Sequence, residues 1–138
     1  MSARDIFHNA VKIALEKDGW TITHDPLSLE FGLGSLYVDL GAERIIAAER
    51  RNEKIAIEIK SFLSGSAVSE FHTALGQYLN YRLLMQEQYT EYKLYLAIPL
   101  STYDSFFQLP FIQMTIQQYQ LKLAIYLPEE EEIVKWQS

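Results

Sequence analysis

The chain has 138 residues, of which 49% are hydrophobic, so it can bury one core but is too short for two ordinary domains. We therefore predict a single domain over residues 1–138. The absence of cysteine excludes disulfides and thiolate metal sites, and the net charge of −6 argues against strong binding of duplex DNA by the domain alone. The sequence shows no signal peptide and no apolar run of about 18 residues, so we expect a cytoplasmic protein with no membrane partner.

A helix is predicted near the N-terminus. Apolar side chains recur at helical spacing at Phe7, Ala10, Val11, Ala14 and Leu15. Ser2 and Asp5 form a start that resembles a capping box, and Gly19 supplies a stop. A short strand at residues 20–23 follows. Glycines then interrupt residues 27–42, so we predict irregular chain there.

Two strand-like runs at residues 44–50 and 54–60 are separated by a turn signal at residues 51–53, which predicts a β-hairpin. A long helix is then predicted from Val68 to Gln88. Its buried stripe is predicted to consist of Phe71, Ala74, Leu75, Tyr78, Leu79 and Leu83.

The remaining chain predicts alternating strands and helices. The strands are predicted at residues 92–98 and 121–126, the short helices at 102–107 and 110–119, and a last edge strand within 133–136. The acidic run from Glu129 to Glu132 suits a solvated turn before that strand at least as well as a site for a partner. This order predicts an α/β fold with a mixed central sheet flanked by helices, in which an αβββαβ core carries a C-terminal extension.

The most informative motif lies in the apolar run that ends with Glu58 and Lys60. A strand alternates its side chains between two faces, so these two side chains project together. Asp39 stands nineteen residues before Glu58. Two carboxylates from neighbouring strands can hold Mg²⁺ or Mn²⁺, the Ile59 carbonyl can add a ligand, and a lysine can orient the attacking water. The pattern therefore predicts a metal-dependent nuclease site.

Other residues can extend this site. Gln77 and Tyr81 are one turn apart on the long helix, so they share a face and can support the cluster. Asp5 and Glu49 are further acidic candidates. A capping function is favoured for Asp5, and a pairing across the hairpin with Arg51 is favoured for Glu49.

The site pattern resembles that of the PD-(D/E)XK superfamily, which has the restriction-endonuclease-like fold. Asp39, Glu58 and Lys60 match its D…ExK motif position by position. Gln77 and Tyr81 match the Q-x-x-x-Y pair that RecB-type nucleases place beside the metal site. The resemblance implies that these five residues are catalytic.

A second resemblance extends over nearly the whole chain. Residues 17–20, 39–43, 58–62, 74–82 and 111–113 are similar to the XisH family, the fdxN element excision controlling factors of filamentous cyanobacteria. The blocks EIKSF and ALGQYLNYR are much more specific than the ExK motif alone. This resemblance implies a function in site-specific DNA excision, alongside a recombinase and a small companion factor, XisI.

Two hypotheses about function remain open. In the first, the protein is a Mg²⁺-dependent DNA-processing factor that resembles a nuclease. In the second, it is a catalytically inactive scaffold that binds the companion factor and the recombinase. The intact D…ExK set favours the enzyme, whereas the acidic net charge favours the scaffold.

The segment 103–119 is too apolar for a free surface helix. Its large apolar residues are Tyr103, Phe106, Phe107, Leu109, Phe111, Ile112, Met114, Ile116 and Tyr119. Because exposed apolar patches usually mark interfaces, we expect a homodimer or a complex with the companion factor through this segment.

Overall fold

A six-stranded sheet forms the centre of this computed structural model, which describes residues 5–46 and 51–138. The helices are α1 His8–Lys17, α2 Ala67–Gln88, α3 Leu100–Asp104 and α4 Pro110–Tyr119, with a 3-10 turn at Phe106–Gln108. The strands are β1 Thr21–His24, β2 Leu27–Glu30, β3 Ser35–Val38, β4 Leu40–Ile46, β5 Arg51–Ile59, β6 Tyr92–Pro99, β7 Leu123–Leu127 and β8 Glu132–Gln137. Among the described helices, none is long and apolar enough to cross a membrane.

The sheet is mixed, with strand order β1-β4-β5-β6-β7-β8. The pairs β5–β6 and β6–β7 are parallel, whereas β1–β4, β4–β5 and β7–β8 are antiparallel. Parallel neighbours need a crossover connection, and α2 supplies the one between β5 and β6. The predicted α/β class, with a mixed sheet flanked by helices and a last edge strand, is confirmed.

Two apolar layers cover the two faces of the sheet. On one face α2, the 3-10 turn and α4 pack against the strands through buried residues such as Phe71, Tyr78 and Phe107. On the other face α1 packs through Val11 and Leu15. Strand β5 alternates between these layers, because Ala56 lies in the first and Ile55, Ile57 and Ile59 lie in the second. Glu58 shares the parity of Ala56, so it projects toward α2.

The prediction of irregular chain at residues 27–42 is wrong. Strands β2 and β3 form an antiparallel hairpin, in which Leu27 pairs with Val38 and Leu29 with Leu36. The apolar residues alternate along both strands and are buried beneath α2. This alternation favours strands more than the glycines favour irregular chain. One of the glycines, Gly32, lies in the turn with a positive φ. Gly41 lies inside β4, where a Cβ atom would come within 2.9 Å of His24 and Leu27, so a glycine is required by the close approach.

The predicted hairpin between β4 and β5 is confirmed, but its turn is not at residues 51–53. Arg44 pairs with Glu53 and Ile46 with Arg51, so residues 51–53 belong to β5, and residues 47–50 separate the two strands in the sequence. Those four residues, and with them the candidate Glu49, lie outside the described part of the chain, as does Ser2 of the predicted capping box.

The burial of helix α2 differs from the predicted stripe at its C-terminal half. Leu83 is 63% exposed, whereas Tyr81 and Met85 are buried. The buried positions repeat at intervals of three and four residues, so the stripe turns gradually around the helix toward β2. Gln88 fixes this end because its side chain exchanges two 2.7 Å hydrogen bonds with the backbone of Glu30.

The apolar segment 103–119 divides between core and surface. Phe107, Ile112 and Ile116 are buried, so three of the nine large apolar residues fill the core of the domain. Four large apolar residues nevertheless remain 42–69% exposed, namely Leu109, Phe111, Met114 and Tyr119. We call these four residues the α4 apolar row.

Candidate metal-binding and catalytic site

Asp39 and Glu58 meet at one end of the β4–β5 pair. Asp39 directly precedes β4, and because Leu40 pairs with Ile57 it lies level with Glu58. The backbone N–H of Ile59 donates to Asp39 Oδ2 at 2.7 Å, and the backbone N–H of Asp39 lies 3.4 Å from Glu58 Oε1. Each carboxylate therefore contacts the backbone of the other strand, so sheet pairing itself sets their relative position.

Burial concentrates negative charge at this point. Glu58 is only 5% exposed, and Asp39 is partly buried. Burial raises the pKa of Glu58 well above its usual value, repulsion from Asp39 raises it further, and Lys60 opposes the shift. Burial also raises the pKa of Asp39, whereas the hydrogen bond from the Ile59 N–H acts to lower it. The pair is thus destabilised when both groups are ionised, and a cation would relieve the repulsion.

Lys60 completes the cluster from the end of β5. Its Nζ lies 3.6 Å from Glu58 Oε2, and its side chain is 20% exposed, so the ammonium group can still be approached from solvent. The lysine ammonium group is a compact charge with three hydrogen-bond donors, so it can bind a water molecule or a phosphate oxygen beside the carboxylates.

The peptide group after Lys60 is held at both of its polar atoms. Its carbonyl accepts a hydrogen bond from the Tyr126 hydroxyl at 3.2 Å, and its N–H, which belongs to Ser61, donates to Asp5 Oδ2 at 3.0 Å. Asp5 also accepts from the N–H of Phe7 at 2.9 Å through its other oxygen. Because α1 begins only at His8, with Phe7 at its cap position and no side-chain cap hydrogen bond, the predicted capping function of Asp5 is wrong. Asp5 thus lies beside the site and positions its backbone.

Tyr81 lies on the buried face of α2, and Gln77 precedes it by one helical turn. Tyr81 is 6% exposed. Burial raises the pKa of its hydroxyl strongly, and the charges of Glu58 and Asp39 add to the shift, which places this ring close to both carboxylates. The Gln77 Oε1 atom is buried and has no hydrogen-bond partner within the described residues. An unsatisfied buried oxygen is unusual and is available as an acceptor or ligand.

His8 is a neighbour of the site that the sequence pattern did not single out. It is 4% exposed, its Nε2 lies 2.8 Å from Asp25 Oδ1, and Lys12 binds the other oxygen of Asp25 at 2.9 Å. A positive charge on His8 would oppose the rise in the pKa of Asp39, so His8 lies within electrostatic reach of that carboxylate. Its spacing from Val11 and Leu15 on α1 was the available signal for burial, because positions i, i+3 and i+7 share one face.

The oxygen ligands available at the site fit a hard divalent cation. Two carboxylates, a strand carbonyl at Ile59 and the unpartnered Gln77 oxygen are all oxygen ligands. Within residues 5–46 and 51–138 there is no group of three or more His, Cys, Asp or Glu side chains placed to hold a metal. One or two carboxylates supplemented by water and substrate phosphate are the usual set for Mg²⁺ in phosphate chemistry, so the shortage of charged ligands is compatible with this ion.

Comparison with known proteins places the whole chain in one family. A family model described as XisH protein matches residues 1–134. The crystal structure of an XisH family protein from Nostoc punctiforme PCC 73102 is 52% identical, covers 97% of this chain and 100% of its own, and superposes with a TM-score of 0.88. The crystal structure of an fdxN element excision controlling factor protein from Anabaena variabilis is 48% identical, with 96% and 98% coverage and a TM-score of 0.87. No curated protein sequence matches. The chain belongs to the XisH family.

Proposed function

We propose that this protein controls the excision of a DNA element and acts in that process as a metal-dependent nuclease of the PD-(D/E)XK type. The first half of the proposal is supported by similarity along nearly the full length to the Anabaena variabilis protein described as an fdxN element excision controlling factor. The second half is supported by one observation, the buried contact of Asp39 and Glu58 across paired strands with Lys60 beside them.

In this proposal each residue acts on a phosphodiester. A bound Mg²⁺ or Mn²⁺ supplies charge stabilisation at the phosphate and lowers the pKa of a nearby water. Asp39 and Glu58 hold the ion, and the Ile59 carbonyl and Gln77 amide oxygen are candidates to complete the protein ligands. Lys60 orients the water that attacks phosphorus and stabilises the charge that develops on the phosphate oxygens.

Gln77 and Tyr81 support this arrangement from α2. Because Tyr81 is buried beside the carboxylates, its hydroxyl stays protonated at neutral pH and can donate a hydrogen bond. Its ring also keeps bulk water from that side of the cluster, which strengthens the charged interactions within it.

A scaffold without catalysis is the second candidate. Two observations favour it. The net charge is −6, and two basic side chains near the strand ends are already paired, Arg44 with Glu53 at 2.8 Å and Lys54 with Glu91 at 3.1 Å. In this case the α4 apolar row would bind a second copy of the chain or a companion excision factor, and the recombinase would do the cutting. Binding to DNA, to the companion and to the recombinase are parts of this proposal.

A nuclease assay separates the two candidates. Purified protein is incubated with supercoiled, linear and branched DNA in Mg²⁺ or Mn²⁺, as wild type, Glu58→Gln and the control Glu91→Gln, which removes an exposed carboxylate that pairs with Lys54. The nuclease proposal expects cleavage by wild type and the control, and a loss of at least about a hundredfold in Glu58→Gln. The nuclease proposal is contradicted, and the scaffold is favoured, if the wild-type protein cleaves no DNA and the Glu58→Gln variant still supports full excision in cells.

A further inference from the structure

A pocket lies on the opposite face and at the opposite end of β5 from Glu58. It has a volume of about 400 Å³, with Trp20, Tyr95 and Trp136 among its aromatic lining residues and Arg44, Lys54 and Lys93 among its basic ones. The volume is in the range of small-ligand sites. The pocket is open because α1 ends at Lys17 and covers only part of this sheet face.

The aromatic residues form a continuous wall. The rings of Tyr95 and Trp136 are 5.0 Å apart at 81°, and those of Trp20 and Trp136 are 5.9 Å apart. The Arg44 guanidinium lies 4.6 Å from the Trp20 ring. Tyr95 and Trp136 are only partly buried, so ring surface remains available to a planar group.

The polar groups of the pocket favour an anion. Arg44 and Lys54 are paired with Glu53 and Glu91, which also line it, so these four charges cancel. Lys93 is exposed and forms no ion pair within the described residues, which leaves one positive charge. Trp20 is 5% exposed, and its Nε1 donor has no hydrogen-bond partner there, nor has the Arg44 Nε donor. Both of these buried, unsatisfied atoms are donors.

We propose that this pocket binds a nucleotide, with the base stacked on the face of one of the Tyr95 and Trp136 rings, in contact with the edge of the other, and the phosphate held by Lys93. Stacking on aromatic side chains combined with basic groups for the backbone is how proteins hold single-stranded nucleic acid. A peptide that adds as a β-strand is excluded here, because strand addition needs a free sheet edge, and β4, β5 and β6 are all interior strands. The site depends on none of the carboxylate cluster, so it goes beyond the proposed nuclease function.

NMR titration tests this proposal. The chain has two tryptophans, and both line the pocket, so their two indole N–H signals report on it. The ligands are deoxyadenosine monophosphate, a single-stranded oligodeoxynucleotide and inorganic phosphate. Saturable shifts of both signals with either nucleotide ligand, and in Glu58→Gln as in wild type, are expected. Stronger binding of the oligonucleotide identifies a DNA strand as the source of the nucleotide, and stronger binding of the monophosphate identifies a free nucleotide.

Charge-reversal variants complete the test. Lys93→Glu should weaken binding about tenfold or more, because it replaces the phosphate contact by a repulsion. Lys135→Glu is the matched control, since Lys135 contacts the Tyr103 hydroxyl at 3.0 Å and does not line the pocket. Circular dichroism verifies that both variants fold. The proposal is overturned by indole signals that do not move with either nucleotide, by equal affinity of Lys93→Glu and wild type, or by equal shifts with inorganic phosphate alone.

Discussion

Asp39 Oδ2 accepts a 2.7 Å hydrogen bond from the backbone N–H of Ile59, a residue twenty positions later in the chain. The bond fixes one carboxylate oxygen through the main chain of β5, the strand that also carries Glu58. A site whose first carboxylate is oriented by paired strands is preorganised, because the fold and not a mobile side chain sets the geometry.

Glu58→Gln should stabilise the protein at neutral pH by about 1 kcal/mol, within the ordinary range of point mutations. The pKa of Glu58 is higher in the folded than in the unfolded state, so ionisation of Glu58 lowers the folding stability. This loss begins as the pH rises above the pKa of the unfolded state and reaches its full size above the pKa of the folded state. Thermal melts at neutral and acidic pH provide the measurement. The gain should vanish at a pH below the unfolded pKa of a glutamate, and a gain of equal size at both pH values would disagree with the charge argument.

Affinity for a divalent cation should rise with pH over the range in which Glu58 loses its proton. A carboxyl group with a raised pKa must deprotonate before it can bind a metal, so binding releases a proton. Calorimetry in buffers of different ionisation enthalpy measures that proton directly. Metal binding without proton release, at a pH below the transition, would show that Glu58 is not a ligand.

Tyr126→Phe should slow DNA cleavage about tenfold while leaving Mn²⁺ affinity unchanged, because a small displacement of Lys60 impairs positioning. The substitution removes only the hydroxyl that donates to the Lys60 carbonyl. The matched control is Tyr103→Phe, which also loses hydroxyl hydrogen bonds but far from the carboxylates. If the two variants cleave equally fast, the hydrogen bond from the Tyr126 hydroxyl to the Lys60 carbonyl has no catalytic importance.

The α4 apolar row should mediate self-association or binding of the companion factor. Met114 is 69% exposed, so Met114→Glu should disrupt this contact without loss of folding stability. Sedimentation at micromolar concentration, with and without the companion, measures the effect. Ile45→Glu is the control, because Ile45 is 73% exposed on β4. A wild-type monomer that fails to bind the companion would refute this expectation.

The sequence allowed prediction of features that depend on local periodicity. Alternation in β5 put Glu58 and Lys60 on one face, and helical spacing put Tyr81 one turn after Gln77. The β2–β3 hairpin was not predicted, because glycines interrupt the two-residue alternation of its apolar residues. The contacts of Asp5 with Ser61 and of His8 with Asp25 could not be predicted, since they join segments that only the tertiary fold brings together.

We propose that Asp39 and Glu58 together bind a divalent cation. Calorimetric titration of Mn²⁺ into wild type, Asp39→Asn, Glu58→Gln and the surface control Glu91→Gln tests it most directly. We expect one saturable binding event in wild type and in Glu91→Gln, and no detectable binding in either site variant, because each loses a charged oxygen ligand. Equal Mn²⁺ affinity in all four proteins would contradict the claim.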